Sequence, residues 1–139
     1  MAAESTFGCW VHLLDKGGTR GDGPFEKNVD YDSTLWCKVL HKAFPNSGGK
    51  RATVFATASH VRSLRNRVAH HEPLINGVPL HGQSNSQGRA RRLSLTDAHP
   101  EVMRLVEYID KDFATWLGQT SRVPELLRTR PSPVSGAAT

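Results

Sequence analysis

The sequence has 139 residues, a net charge of +5 and a mean hydropathy of −0.45, which are typical of one small polar domain. No apolar run approaches the roughly 18 residues that a membrane span needs, and residues 1–7 lack the layout of a secretory signal. Cys9 and Cys37 have no motif spacing, which favours reduced thiols over a disulfide framework. We therefore expect a cytoplasmic protein with no membrane partner.

The charged residues are unevenly placed along the chain. Between His60 and Arg92, six arginines accompany a single acidic residue, which gives this segment a local charge of +5. Between Leu93 and Gly118, five acidic residues outnumber two basic ones, which gives −3. A polyanion is one partner that suits the basic segment. A solvated basic face without any ligand explains the same charge equally well.

Helical spacing of apolar residues predicts an all-α fold. The predicted helices run from Ser5 or Thr6 to Gly17, from Asp32 or Ser33 to Phe44, from Lys50 to His71, and from Thr96 or Asp97 to Gly118. Residues 76–92 are polar and rich in turn formers, and residues 121–130 add a short helix before a flexible tail. Since no alternating strand pattern is present, we expect an antiparallel bundle of about four main helices and no sheet.

The third predicted helix ends in a stretch with unusually varied side chains. Pro73 disfavours helical geometry at Glu72, which places the end of the helix there. At about 100° per residue, Arg65, Asn66 and His70 lie on a surface that turns away from the apolar stripe of the helix. The stripe consists of Val54, Ala58, Val61, Leu64 and Val68.

These residue types suit cleavage of RNA by transesterification, in which the 2′-hydroxyl is the nucleophile. An arginine offers a planar fork for phosphate oxygens, and a histidine exchanges a proton near neutral pH. Asn66 lies one turn before His70 and can orient either the imidazole ring or a phosphate oxygen. This chemistry requires no metal and no other cofactor.

Other interpretations of the same residues remain open. A single helical histidine is more often structural than catalytic, and Glu72 can form a solvated ion-pair network with the arginines. Adjacent His70 and His71 point about 100° apart, whereas a helical zinc pair needs i,i+4 spacing. From spacing alone, a structural role is therefore the more common outcome, and no metal ligand is assigned.

The stretch at residues 64–73 has the sequence Leu-Arg-Asn-Arg-Val-Ala-His-His-Glu-Pro. It resembles the signature of Abi-like (abortive infection) proteins, which belong to the HEPN superfamily. Arg65, Asn66 and His70 match the superfamily pattern of an arginine, a polar residue and a later histidine. Residues 6–11 look like the family's Phe-Gly-x-Trp helix, and residues 35–45 and 107–117 are similar to its next and closing helices.

The resemblance implies a helical domain that dimerises and a metal-independent ribonuclease used in phage defence or as a toxin. It implies that Arg65 binds the scissile phosphate, that His70 is general base or acid, and that Asn66 orients them. The auxiliary residues would be His71, Arg67 and Glu72. We therefore expect RNA as the substrate and a homodimer with a composite site. Because Abi-like proteins commonly have preceding helices, an antitoxin or an N-terminal partner region is a further expected partner.

In this interpretation residues 1–118 form an HEPN/Abi-like helical domain, with the polar loop 76–92 inserted before its last main helix. Residues 119–139 supply a short helix and a flexible tail. The competing hypothesis is a non-catalytic RNA-binding or protein-interaction module, and a structural dimerisation domain is a third. The arginines predicted to bind RNA are Arg62, Arg89, Arg91 and Arg92.

Overall fold

The computed structural model describes residues 7–21 and 23–130, and its elements include strands as well as helices. The predicted caps Ser5 and Thr6 and the predicted tail from Pro131 lie outside these residues. In chain order the main elements are α1 (Phe7–Leu13), β1 (Gly17–Arg20), β2 (Lys27–Asp30), α2 (Arg51–Ala69), β3 (Val78–Ser84), β4 (Ala90–Leu93), α3 (Leu95–Ile109), α4 (Lys111–Thr120) and α5 (Val123–Arg128).

The chain therefore has a mixed α/β fold, and the prediction of an all-α bundle without a sheet was wrong. Strands β1 and β2 pair antiparallel, with Gly17 opposite Asp30, and β3 and β4 pair antiparallel, with Val78 opposite Leu93. Both sheets are two-stranded hairpins. The sheets are small, and helices make up the rest of the regular structure.

The β3–β4 hairpin occupies most of the segment that was predicted to be a loop. Val78 and Leu80 are buried and follow the period-two spacing of a strand. Pro79 and Gly82 interrupt the apolar alternation around them, and the strand register shifts between Pro79 and Ser84. A strand of this kind gives only a weak sequence signal, because its pairing partner rather than its own pattern fixes it.

The second predicted helix is replaced by short turns. A π-helical turn spans Asp32–Trp36 and a 3-10 turn spans Leu40–Ala43. Asp30, and not Asp32 or Ser33, caps the first turn, because its carboxylate accepts hydrogen bonds from the backbone N–H groups of both residues. The Ser33 hydroxyl donates to the same carboxylate at 2.6 Å, and this bond is the largest cause of the lowered pKa of Asp30.

The break allows Trp36 to turn into the core. Its side chain is buried, its Nε1 donates to the carbonyl of Gly49 at 3.1 Å, and its ring stacks on Phe44. Residues near α1 and in the first half of α2 pack around it. The buried members of this core are Val11, Leu14, Trp36, Val54 and Ala58.

Helix α2 is the central element of the fold, and its predicted extent from Lys50 to His71 is confirmed to within two residues at its C-terminal end. Val54 and Ala58 are fully buried within it, as the apolar stripe predicted. Burying a valine side chain contributes roughly 1.5–3 kcal/mol. α2 packs against α1, α3 and β3. Its C-terminal end carries the predicted catalytic residues Arg65, Asn66 and His70.

The last predicted main helix is two helices in the structure. Ser94 caps α3 by accepting a hydrogen bond from the N–H of Asp97, and Asp110 leaves the helical conformation with φ −150° and ψ 114°. The Asp110 carboxylate then accepts from the N–H of Phe113 at 2.9 Å and caps α4. The short helix predicted within residues 121–130 is confirmed as α5.

Replacing Gly77 by alanine is expected to destabilise the protein more than the same change at Gly82. Both glycines have positive φ, 76° and 74°, so an alanine at either costs about 1 kcal/mol of left-handed strain. A Cβ at Gly77 would lie 2.7 Å from the carbonyl oxygen of Leu93, whereas a Cβ at Gly82 meets nothing within 4 Å. The clash adds roughly 1–3 kcal/mol.

Urea unfolding followed by circular dichroism measures this difference. Gly82→Ala is the matched control, because it shares the backbone strain and lacks the clash. Equal losses of unfolding free energy in the two variants would contradict the described approach of Gly77 to β4.

Candidate functional site

The last turns of α2 bring Arg65, Asn66 and His70 to the surface. Arg65 and His70 are exposed and Asn66 is half-buried. Arg65 Nη1 donates a long hydrogen bond of 3.4 Å to Asn66 Oδ1, and the backbone N–H of His70 donates to the carbonyl of Asn66 at 2.9 Å. The three predicted catalytic residues are therefore neighbours on one exposed helix end, as helical spacing requires.

Arg65 keeps most of its hydrogen-bonding capacity. A guanidinium has five N–H donors, and within residues 7–21 and 23–130 this side chain forms a hydrogen bond only to Asn66. Its remaining donors point to no other described acceptor. An exposed guanidinium in this state can bind two oxygens of one phosphate.

The helix ends at a strained residue. His70 is the C-cap, with φ −93° and ψ 9°, and His71 then has φ 55°, which is unusual for a residue other than glycine. His71 is therefore outside α2, and the angle of about 100° from His70 that helical spacing predicts does not apply to it. His71 is exposed.

Arg67 and Glu72 brace the helix end. Arg67 Nη1 lies 2.9 Å from Glu72 Oε2, and Arg67 Nη2 donates to the carbonyl of Pro73 at 2.6 Å. The Arg67 side chain is only 18% exposed, and its Nε is buried without a hydrogen-bond acceptor among the described residues. These contacts assign both residues a structural task, and their auxiliary role in catalysis stays a prediction.

The four arginines predicted to bind RNA fall into two groups. Arg62 is half-buried against α1, where a Cβ on Gly8 would lie 3.2 Å from its Nε. Arg92 donates from Nε to the carbonyl of Asn76 at 2.7 Å and from Nη2 to that of Gly77 at 2.9 Å. Arg89 and Arg91 are exposed, and neither side chain has a hydrogen bond or ion pair within the described part of the chain.

An apolar cavity of about 390 Å³ is lined by Leu64 and Val68 from the C-terminal half of α2. Val68 lies on its wall and is 55% exposed, so this residue does not pack in the core as the apolar stripe predicted. Helical spacing could not reveal the cavity, because its other walls come from α3, from the end of α4 and from α5. The lining includes Leu64, Val68, Val102, Met103, Leu117 and Val123.

Comparisons of the chain with protein-family models, with curated proteins and with solved structures found no match. The resemblance of residues 64–73 to Abi-like proteins therefore stays a hypothesis. In the described ranges no helix is long and apolar enough to cross a membrane. What the protein does must be inferred from the side chains that the fold brings together.

Arg67→Ala is expected to lower the free energy of unfolding by roughly 1–2 kcal/mol, because it removes a partly buried ion pair and a hydrogen bond to the chain after α2. Arg65→Ala removes the same charge from an exposed position of the same helix and should change stability by less than about 0.5 kcal/mol. Thermal and urea unfolding of the two variants test this contrast. A larger loss in Arg65→Ala would refute the assigned division.

Proposed function

We propose that the chain is a metal-independent endoribonuclease of HEPN type, which cleaves RNA by attack of the 2′-hydroxyl on the adjacent phosphate. The observation that supports it is that Arg65 and His70 are exposed beside the half-buried Asn66, while the neighbouring Arg67 and Glu72 are engaged with each other. Packing of α2 against the rest of the fold does not require a guanidinium and an imidazole to be exposed side by side at its end. The cellular role proposed with this activity is phage defence by abortive infection or action as a toxin.

In this mechanism a bond forms between the 2′-oxygen and phosphorus, and the bond from phosphorus to the 5′-oxygen breaks. The products are a 2′,3′-cyclic phosphate and a 5′-hydroxyl. Arg65 binds the non-bridging oxygens and offsets the charge that develops on the phosphorane. Asn66 holds the guanidinium through its Oδ1, as in the hydrogen bond described above. His70 either removes the proton of the 2′-hydroxyl or donates one to the leaving oxygen.

Both proton transfers are needed in one turnover, which favours two chains at one site. Each chain presents one copy of His70 at the exposed end of α2. His71 follows it in a different backbone conformation. A second copy of the chain, placed against the first, would supply a second imidazole as the complementary acid or base. The half-exposed Val68 and Val123, which line the same cavity, give such a homodimer apolar surface to bury.

The purified protein is expected to cleave single-stranded RNA in the presence of EDTA and to leave 2′,3′-cyclic phosphate ends. His70→Ala and Arg65→Ala should each reduce the cleavage rate by about 10²–10⁴-fold, because each removes a group that acts on the reacting atoms. Gel analysis of labelled RNA with end-group mapping measures the effect.

His12→Ala on α1 and Arg104→Ala on α3 are the matched controls, since each removes an exposed side chain of the same type from a helix other than α2. Both should cleave at the rate of the unmodified chain. If the unmodified chain cuts no RNA, or if His70→Ala cuts as fast as His12→Ala, the proposed activity is wrong. RNA binding that persists in an uncut state would instead support the non-catalytic RNA-binding module.

A further inference from the structure

We propose that the β3–β4 hairpin is an RNA-binding arm, in which Arg89 and Arg91 contact the phosphate backbone of the RNA that is cut at the end of α2. This inference rests on the proposed function, because it takes RNA as the ligand. It adds a second contact region and assigns the binding to two of the four arginines that sequence had grouped together.

The arm is anchored at its base. Val78 and Leu80 are buried on one face of β3, and β3 packs against α2. Arg92 donates two hydrogen bonds to the carbonyls of Asn76 and Gly77 and so joins β4 to the chain that enters the hairpin. The hairpin is thus tied to the same helix that carries the site.

The turn at the tip of the hairpin is also held by hydrogen bonds. Asn85 Oδ1 accepts hydrogen bonds from the backbone N–H groups of Gln87 at 3.0 Å and Arg89 at 2.9 Å. The backbone N–H of Asn85 donates to the carbonyl of Arg89 at 2.8 Å. An arginine on an ordered turn loses less conformational entropy on binding than one on a mobile loop.

The charge of the arm is uncompensated. Residues 73–96 contain no aspartate or glutamate, and Arg89 and Arg91 are exposed without a hydrogen bond or ion pair to any described residue. Their guanidinium groups are therefore available for phosphate oxygens. Arg92 and Arg62 are not equivalent to them, since both are packed or hydrogen-bonded within the fold.

The side chains of the arm fit backbone contacts better than base stacking. Residues 78–93 contain no phenylalanine, tyrosine or tryptophan, and aromatic rings are what sequence-tolerant stacking sites use. Binding through the arm should therefore depend strongly on salt and little on sequence. The arm should mainly lower KM, because Arg89 and Arg91 lie on the hairpin and not on the end of α2 that carries the proposed reacting groups.

The test measures the affinity of a labelled single-stranded RNA over a range of salt concentrations, with His70→Ala as the common background so that the RNA stays intact. Arg89→Ala/Arg91→Ala should bind about tenfold or more weakly, and the slope of log K against log salt should fall by about 1.4, at roughly 0.7 per phosphate contact. Lys27→Ala/Lys38→Ala is the control, because it removes two exposed positive charges from another part of the chain.

In the background that retains His70, Arg89→Ala/Arg91→Ala should raise KM with little change in kcat. If the RNA affinity and salt slope equal those of the lysine control, the arm is refuted, while EDTA-resistant cleavage that depends on His70 would still support the ribonuclease. If binding depends on Arg89 and Arg91 but no RNA is ever cut, the arm stands and the ribonuclease fails. Arg89→Gln/Arg91→Gln, which keeps the hydrogen-bonding side chains, should show the same loss of slope if charge carries the contact.

Discussion

The end of α2 is the constraint on which the rest of the structure depends. Pro73 excludes a further helical turn, and His71 takes up a positive φ of 55° that redirects the chain. Arg67 holds this arrangement by binding both Glu72 and the carbonyl of Pro73. Because the helix stops there, Arg65 and His70 lie at an exposed helix end. The hairpin begins a few residues later.

The arginines between His60 and Arg92 fall into two groups according to their contacts. Arg62, Arg67 and Arg92 are occupied by contacts within the fold, whereas Arg65, Arg89 and Arg91 remain free for a ligand. All six arginines contribute equally to the net charge, and only their contacts within the fold distinguish the two groups. The proposed ribonuclease uses Arg65, which lies next to the imidazole of His70. It also uses Arg89 and Arg91, which lie on the hairpin.

Sequence predicted those features that depend on local periodicity. The length of α2 and the outward position of Arg65, Asn66 and His70 follow from helical spacing and from the stop at Pro73, and α5 was found in the same way. The hairpins were missed because strand pairing joins residues distant in sequence, such as Val78 and Leu93. The position of Val68 could not be predicted either, since its exposure depends on how α3, α4 and α5 meet.

The other errors have equally specific causes. The segment from Asp32 to Phe44 has the apolar spacing of a helix, but the burial of Trp36 and its hydrogen bond to Gly49 favour separate turns. Asp110 is a good N-cap residue, and capping α4 there outweighs continuing α3 through it. In both cases a tertiary or capping contact overrides a helical propensity that is worth less than about 1 kcal/mol per residue.

In the proposed homodimer, two chains combine their α2 ends into one RNA-cleaving site. This composite site is tested most directly by mixed dimers, formed by co-expressing the unmodified chain with an increasing share of His70→Ala and purified at constant total protein. If both copies of His70 act in one site, cleavage per unmodified chain should fall in proportion to the fraction of unmodified chains. Cleavage per unmodified chain that stays constant across the series would contradict the composite site.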